Sequence, residues 1–293
     1  MILRAVAGRP VAGMRLDDGV KALFPELSKG RIRKVIDWGG CRVGQAVVRV
    51  ASRPLREGDE ICFAVGGTDP DVSYLLSPRD ILLDDPEYLL VSKPAGVYTQ
   101  RTPYQLKGTV EFAVDRHFRA AGIPEPARVV HRLDRDTSGA MVFPKNRAAA
   151  AWLSGALREG RVEKAYRALV AGIPAADFWE TDAPIAPAGK SRFAVEAGGR
   201  ESRTEFRVVS RGNGAALVEA LPRTGRTHQI RLHLAHDGHP VFGDTRYGGP
   251  PCARMMLHCR AMSFRAADGR LVAAEAPEDD AFVTACERSG IAA

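Results

Sequence analysis

The sequence predicts an α+β fold with a mixed, largely antiparallel sheet, preceded by a second, small α/β domain. Strand-like segments outnumber helical ones after residue 80, and they show no regular strand–helix alternation, which argues against a parallel α/β sheet. The chain has 293 residues, of which 45% are hydrophobic, so it is long enough for two domains with real cores.

The pattern of apolar and turn residues in 1–66 predicts the small domain. Apolar residues at helical spacing predict helices at 15–24 and 29–38, the second capped by Ser28. Alternating apolar residues on either side of a glycine turn predict a hairpin at 41–50, and a further strand follows at 60–65.

Positive charge is concentrated in this domain. The net charge is +7, and 34 of the 42 basic residues are Arg. Residues 1–66 contain 12 basic and 7 acidic groups, whereas the rest of the chain contributes only +2. Arg33 and Lys34 lie opposite the apolar face of the second helix. This distribution is typical of a nucleic-acid-binding module, and equally of a basic surface that only keeps the protein soluble.

Residues 67–79 contain a Gly-Pro-Asp-Ser-rich run that predicts a linker, and residues 80–293 form the predicted catalytic domain. Helices are expected at 109–121, 147–159 and 228–236. Strands are expected at 81–83, 88–92, 129–131, 140–143, 163–171, 204–210, 216–221 and 255–264.

Several classes of protein are disfavoured. No apolar run approaches the ~20 residues that span a bilayer, and the N-terminal apolar stretch is too short for a signal peptide, so we expect a cytoplasmic protein. The five cysteines lack the spacing of a zinc knuckle or a redox pair. The chain also lacks a phosphate-binding glycine motif and a dinucleotide fingerprint, so we expect no cofactor.

The densest cluster of chemically useful residues is the run HRLDRDTSG at 131–139, between two apolar segments. It presents Asp134 between the guanidinium groups of Arg132 and Arg135, which favour the ionised carboxylate. Such a carboxylate acts as a nucleophile or a base. The same residues are also typical of a turn stabilised by Asp–Arg pairs.

Two further clusters stand out. The run RTGRTHQIR at 223–231 combines a glycine turn, a helix start and cations, which suits an anionic partner, but it also suits a well-capped surface helix. In the run KAYRA at 164–168, Lys164 and Tyr166 face the same side of a strand, and Tyr166 by itself is equally typical of a core aromatic.

Four histidines lie close together at 228, 233, 236 and 239. No acidic ligand accompanies them at the spacing of a zinc hydrolase motif, so we predict no metal site. A metal-dependent hydrolase remains the rival prediction that depends on them.

The order of these motifs resembles the RluA-type pseudouridine synthases through most of residues 80–270. The run HRLD followed by TSG at 131–139 resembles their signature, and the runs at 164–168 and 223–231 resemble their tyrosine and arginine motifs. KPAG at 93–96 and LH at 257–258 resemble the first and last motifs. Residues 1–66 resemble the small RNA-binding domain named after ribosomal protein S-four.

The resemblance implies an isomerase that breaks the glycosidic bond of a uridine in RNA, turns the uracil and rejoins its carbon 5 to the ribose. It implies that Asp134 is the catalytic carboxylate, acting as nucleophile or as base, and that Arg226 pairs with it. It implies that Tyr166 stacks on the uracil and is a candidate for helping to remove the proton from carbon 5. His131 and Arg132 are assigned to substrate binding, with Arg132 filling the gap left by the flipped base. No cofactor or metal is implied.

The resemblance assigns Arg33 and Lys34 to RNA phosphates. It leaves the target open, and the basic N-terminal domain favours large-subunit ribosomal RNA over transfer RNA. A non-catalytic RNA-binding or ribosome-assembly protein is the other alternative, and a monomer is the expected state.

Overall fold

The computed structural model describes residues 2–37, 40–64, 74–101, 108–189 and 192–292. They form two compact units, Met1–Leu75 with Tyr98–Arg116, and Leu76–Val97 with His117–Ala293. Residues 67–73 of the predicted linker 67–79 lie outside the described residues. So do the last residue of the predicted helix 29–38 and the last residue of the predicted strand 60–65.

Two helices and a small sheet make up most of the first unit. Its elements are β1 (Ile2–Val6), α1 (Leu16–Leu23), α2 (Lys29–Asp37), β2 (Cys41–Val43), β3 (Ala46–Val47) and β4 (Glu60–Ala64). The strands form an antiparallel sheet in the order β1-β4-β2-β3. Sequence patterns missed β1, because its pairing partner β4 follows more than fifty residues later.

The apolar faces of α1 and α2 form the core of this unit. Ile32, Val35 and Ile36 are buried, as their helical spacing predicts. Arg33 lies on the other face, where its Nε donates to the buried carboxylate of Asp17 at 2.7 Å. Burial raises the pKa of Asp17, but hydrogen bonds from Arg33 and Arg15 outweigh burial, so the pKa lies below its usual value.

The second unit contains most of the remaining elements. Its strands are β5 (Ile81–Asp84), β6 (Tyr88–Lys93), β7 (Ser138–Pro144), β8 (Val162–Ala171), β9 (Phe178–Thr181), β10 (Ile185–Pro187), β11 (Phe193–Val195), β12 (Thr204–Arg211), β13 (Ala215–Pro222), β14 (Leu257–Arg265) and β15 (Leu271–Glu275). The helices are α3 (Val110–Ala120), which begins in the first unit, α4 (Arg147–Arg158), α5 (Gln229–His236) and α6 (Asp280–Arg288).

A nine-stranded sheet organises this unit in the order β5-β6-β7-β14-β8-β13-β12-β9, with β15 paired to β14. Among these pairs only β7–β14 is parallel in the described part of the chain. The predicted α+β class with a mixed, largely antiparallel sheet is therefore confirmed. Burial is complete along β7, and it is nearly so along β6, which is why both strands have continuous apolar sequences.

The parallel β7–β14 pair depends on Gly139. This glycine has a φ of 113°, and a Cβ placed on it would lie 2.2 Å from the carbonyl oxygen of Cys259. Both the backbone conformation and the close approach of β14 therefore require glycine. Because Asp134 lies five residues earlier, this contact also determines where the loop bearing Asp134 enters the sheet.

We expect Gly139→Ala to destabilise the protein by about 3 kcal/mol, since backbone strain and a steric clash with an immobile carbonyl act together. Urea unfolding followed by far-UV circular dichroism measures this change. Gly160→Ala, at a glycine with a φ of 70° and no atom within 4 Å of the added Cβ, is the control for the strain alone. Equal losses in the two variants would contradict the role of the β14 contact.

Side-chain caps begin several of the described helices, including α2, where the hydroxyl of Ser28 accepts a hydrogen bond from the amide of Arg31 as predicted. The side chain of Asn146 accepts a hydrogen bond from the amide of Ala149 at the start of α4, and Asp279 accepts one from Phe282 at the start of α6. None of the described helices is long and apolar enough to cross a membrane.

Residues 129–131 do not form the predicted strand. The imidazole Nε2 of His131 instead accepts a hydrogen bond from the amide of Val142 in β7 at 3.1 Å, so a side chain occupies the position of a strand neighbour. The prediction also missed β9, β10, β11, β15 and α6, which are short elements whose strand or helix state depends on their packing partners.

Candidate active site

Asp134 lies in the loop that leads into β7, and a buried lysine holds this loop. Lys93, at the end of β6, is fully buried, and its ammonium donates to the carbonyls of Pro94, Val97 and Arg135 at 2.7–2.9 Å. Three acceptors match the three donors of an ammonium group. Burial lowers the pKa of Lys93 to about 7, while the charges of Asp136 and Asp134 oppose this shift.

A chain of charged side chains orients the carboxylate of Asp134. Arg231, in the first turn of α5, donates from Nη1 to Oδ2 of Asp134 at 2.9 Å. The same guanidinium binds Asp244 through two hydrogen bonds of 2.6 and 2.9 Å. The side chain of Asp244 is only 2% exposed and that of Arg231 9%, whereas Asp134 is 20% exposed. Asp134 is thus the accessible end of a buried, charge-assisted network.

The predicted pairing of Arg226 with Asp134 is wrong, because Arg231 occupies that position. The Nε of Arg226 donates to the backbone carbonyl of Glu201 at 2.9 Å instead. Arg226 precedes α5 in the glycine turn, whereas Arg231 lies on the inward face of α5 beside buried Ile230 and Leu232. An arginine between apolar helix residues needs a buried carboxylate partner, and this signal in the sequence would have favoured Arg231.

His228 is a site residue that the sequence analysis considered only as a metal ligand. It has a φ of 58° and is the only described non-glycine residue with a positive φ. Its Nδ1 lies 2.7 Å from the hydroxyl of Tyr247, and its Nε2 lies 3.7 Å from Oδ2 of Asp134. Burial lowers the pKa of His228 below its usual value, although the charge of Asp134 opposes this shift. A strained backbone beside a partly exposed carboxylate is typical of a functional site.

Tyr166 faces Asp134 across a small cavity of about 130 Å³. It lies on β8, paired with Ala220 on one side and Cys259 on the other. Burial raises the pKa of Tyr166 well above its usual value, and the thiol of Cys259, hydrogen-bonded to it, adds to this effect. The phenol is therefore protonated at neutral pH, which suits packing against a flat, neutral ring.

The structure brings Arg132, Asp134, Tyr166 and Arg226 to this cavity, together with Lys164, His228 and Arg231. Arg132 is exposed and lines both this cavity and the larger one next to it. His131 lines only the larger cavity. Arg33 and Lys34 belong to the other unit.

The environment of His131 predicts a pH dependence of stability. Burial, reinforced by the charge of Lys164, lowers the pKa of His131 to about 3. The unfolded chain binds this proton near pH 6.5, so the free energy of unfolding should fall as the pH drops from about 6.5 toward 3, by up to about 1.4 kcal/mol per pH unit. Urea unfolding at several pH values measures the slope, and His131→Asn should make it less steep. A slope in His131→Asn equal to that of the wild type would contradict a neutral His131 in the folded protein.

The clustered histidines do not converge on one point. His233 hydrogen-bonds Thr204 and the carbonyl of Ala183, whereas His239 contacts the carbonyl of Ala171. Among the described residues, no group of three or more His, Cys, Asp or Glu side chains is arranged to hold a metal ion.

Comparisons with known proteins point to one family. The family described as RNA pseudouridylate synthase matches residues 87–236. An uncharacterized RNA pseudouridine synthase of Aquifex aeolicus is 37% identical over 243 residues, covering 80% of this chain and 77% of that protein. The ribosomal large subunit pseudouridine synthase C of Escherichia coli O157:H7 is 32% identical over 296 residues, covering 92% and 91%.

A solved structure shares the fold. The human RNA pseudouridylate synthase domain containing 1 has a TM-score of 0.59 and 27% identity, covering 72% of this chain and 86% of that one. The matched segment contains Asp134, Tyr166 and Arg231. The chain therefore belongs to the RNA pseudouridylate synthase family, and it is an RluA-type RNA pseudouridine synthase, an isomerase.

Proposed function

We propose that this enzyme isomerises uridines in large-subunit ribosomal RNA, acting as a monomer in the cytoplasm. The observation that carries the chemistry is the partly exposed carboxylate of Asp134 at the end of the buried Arg231–Asp244 network, opposite Tyr166. The relative from Escherichia coli, whose name specifies the ribosomal large subunit, supports the choice of RNA.

In this proposal Asp134 is the catalytic carboxylate. It attacks the anomeric carbon or removes the neighbouring ribose proton as the bond between N1 and the ribose breaks. The uracil then turns, and its carbon 5 bonds to the ribose as the bond to Asp134 breaks or, in the other route, as Asp134 returns the proton to the ribose. The proton leaves carbon 5 and N1 gains a proton, so the product is an isomer of the substrate. Arg231 keeps the carboxylate of Asp134 oriented while its negative charge is first lost and then restored.

Tyr166 is assigned to stacking on the uracil. Its raised pKa makes the phenolate costly, which favours contact with the flat face of the base over abstraction of the proton from carbon 5. Offset packing against an aromatic ring also lets the uracil turn in its own plane.

Arg132 is assigned to the gap that the target base leaves in the RNA. A uridine inside a stacked helix has to leave the stack before its sugar reaches Asp134, at a cost of a few kcal/mol. Arg132 is exposed beside the cavity, and it forms no ion pair with any residue in the described ranges. A planar guanidinium in the vacated position stacks between the neighbouring bases.

The N-terminal residues 1–66 are assigned to RNA binding, with Arg33 and Lys34 near the phosphates. Arg33 also stabilises the buried Asp17, so its removal affects folding. Lys34→Gln is the cleaner variant, because Lys34 lies on the exposed face of α2. We expect the slope of log K against log salt to become less steep by about 0.7–0.9, one phosphate contact. Filter binding at several salt concentrations measures this, and an unchanged slope would remove Lys34 from the interface.

The proposed function is tested by tritium release from RNA labelled at carbon 5 of uridine. Unmodified transcripts of large-subunit ribosomal RNA and of transfer RNA are incubated separately with the enzyme. We expect release from the ribosomal transcript, stoichiometric with one or a few sites. Release from the transfer RNA alone would overturn the choice of RNA while leaving the isomerase assignment unchanged.

A further inference from the structure

A second, larger cavity opens beside the one that contains Asp134. Its volume is about 1110 Å³, and it shares Arg132, Lys164 and Arg226 with the smaller cavity. It begins where the pairing of β8 with β13 ends, at Tyr166 and Ala220. Beyond that point Val162–Ala165 of β8 and residues 221–226 line its opposite sides. The geometry is that of a groove that continues outward from the candidate active site.

The groove is strongly positive. Its lining contains Arg132, Arg158, Lys164, Arg223 and Arg226, but only two acidic residues. One of these acids, Glu275, is ion-paired with Arg260 at 3.1 Å. Arg223 is bound by both carboxylate oxygens of Glu205, which leaves the other cations to attract an anionic ligand.

Lys164 differs from the other lysine near the site. The ammonium of Lys93 is fully buried but uses all three donors on carbonyls. The ammonium of Lys164 forms neither a hydrogen bond nor an ion pair with any described residue, and the thiol of Cys259 is its main electrostatic neighbour. Burial lowers the pKa of Lys164 and raises that of Cys259 to about 12, so this neighbour is neutral. Lys164 is half-buried in the wall of both cavities, and a partly desolvated cation without a counter-charge favours a ligand that supplies the charge.

The position of Lys164 specifies the ligand. It precedes Tyr166 by two residues, so both side chains leave β8 on the same side, about 6.6 Å apart along the strand. A uridine that stacks on Tyr166 with its ribose at Asp134 has a backbone phosphate as its nearest anion. We propose that Lys164 binds a phosphodiester that flanks the target uridine, and that the groove leading to Arg158 holds the adjoining RNA strand. This assignment rests on the proposed function.

The test compares Lys164→Met, Lys164→Arg and a matched control, Arg161→Met. Arg161 is a cation three residues away that pairs with Glu159 and stacks on Trp152, outside the groove. Affinity for an unmodified large-subunit ribosomal RNA transcript is measured by filter binding from about 50 to about 200 mM KCl. Lys164→Met should make the salt slope less steep by about 0.7, so that the loss of affinity over this range is about threefold smaller. Lys164→Arg should keep the wild-type slope, and so should Arg161→Met.

The melting temperature provides a second readout. Removal of a lysine that stabilises the fold would lower the Tm, whereas removal of a lysine that binds a ligand would not. Because no described residue pairs with the ammonium, Lys164→Met should keep or raise the Tm. An unchanged salt slope, an equal change in Arg161→Met, or a lower Tm in Lys164→Met overturns the assignment. Tritium release by the wild-type enzyme from the same RNA tests the proposed function separately, since the salt slope needs no turnover.

Discussion

Asp134→Asn is expected to lower the single-turnover rate of isomerisation by at least about 10³-fold while RNA affinity stays within about threefold of wild type. An amide has nearly the same shape as the carboxylate, but it is neither a nucleophile nor a base at a ribose carbon. It also keeps an oxygen that accepts the hydrogen bond from Arg231, so the geometry of the site is retained.

Tritium release under excess enzyme measures this rate, and filter binding measures the affinity. Asp136→Asn is the matched control, because Asp136 belongs to the same loop but its side chain is 54% exposed and lies 3.9 Å from Arg135. A rate for Asp134→Asn near that of the wild type would disprove the catalytic role. An equal loss in both variants would point to a loop whose total charge matters more than a particular carboxylate.

Arg231→Met is expected to destabilise the protein by about 3–5 kcal/mol and to reduce the isomerisation rate of the folded fraction by at least about 10²-fold. The substitution leaves the 2%-exposed carboxylate of Asp244 without its two hydrogen bonds. It also removes the donor that holds Asp134. Arg231→Lys retains the charge, but a single ammonium cannot form a fork to Asp244 and reach Asp134 as well, so we expect only partial rescue.

Arg226→Met is the control that separates the observed pairing from the predicted one. Among the described residues its side chain donates to the carbonyl of Glu201 through Nε, so we expect a change in stability of no more than about 1 kcal/mol. Urea unfolding gives the stability of both variants, and the single-turnover rate at saturating enzyme gives the chemical step. If Arg226→Met lost as much rate as Arg231→Met without weakening RNA binding, the assignment of Arg231 would be overturned.

The sequence by itself determined the class of fold, the main elements and the motifs of the family. Strands β7, β8, β12, β13 and β14 were predicted because continuous or alternating apolar runs depend on local spacing alone. The loop around Asp134 and the strand that carries Tyr166 were found for a similar reason, since their residue types are adjacent in the chain. Short elements such as β1 and β15 were missed, because five residues become a strand only beside a distant partner.

Only the tertiary structure decided which cation holds Asp134 and which lysine near the site has no partner among the described residues. Arg226 and Arg231 belong to one motif and differ little as residues, but the helical turn of α5 directs Arg231 toward Asp134 and Asp244. Lys93 and Lys164 are likewise equivalent in the sequence. In the structure the ammonium of Lys93 donates to three backbone carbonyls, whereas that of Lys164 has no such acceptors among the described residues. The reason is physical: side-chain types and local periodicity depend on neighbouring residues, whereas the partner of a charge depends on contacts between distant segments, 97 residues apart for Asp134 and Arg231.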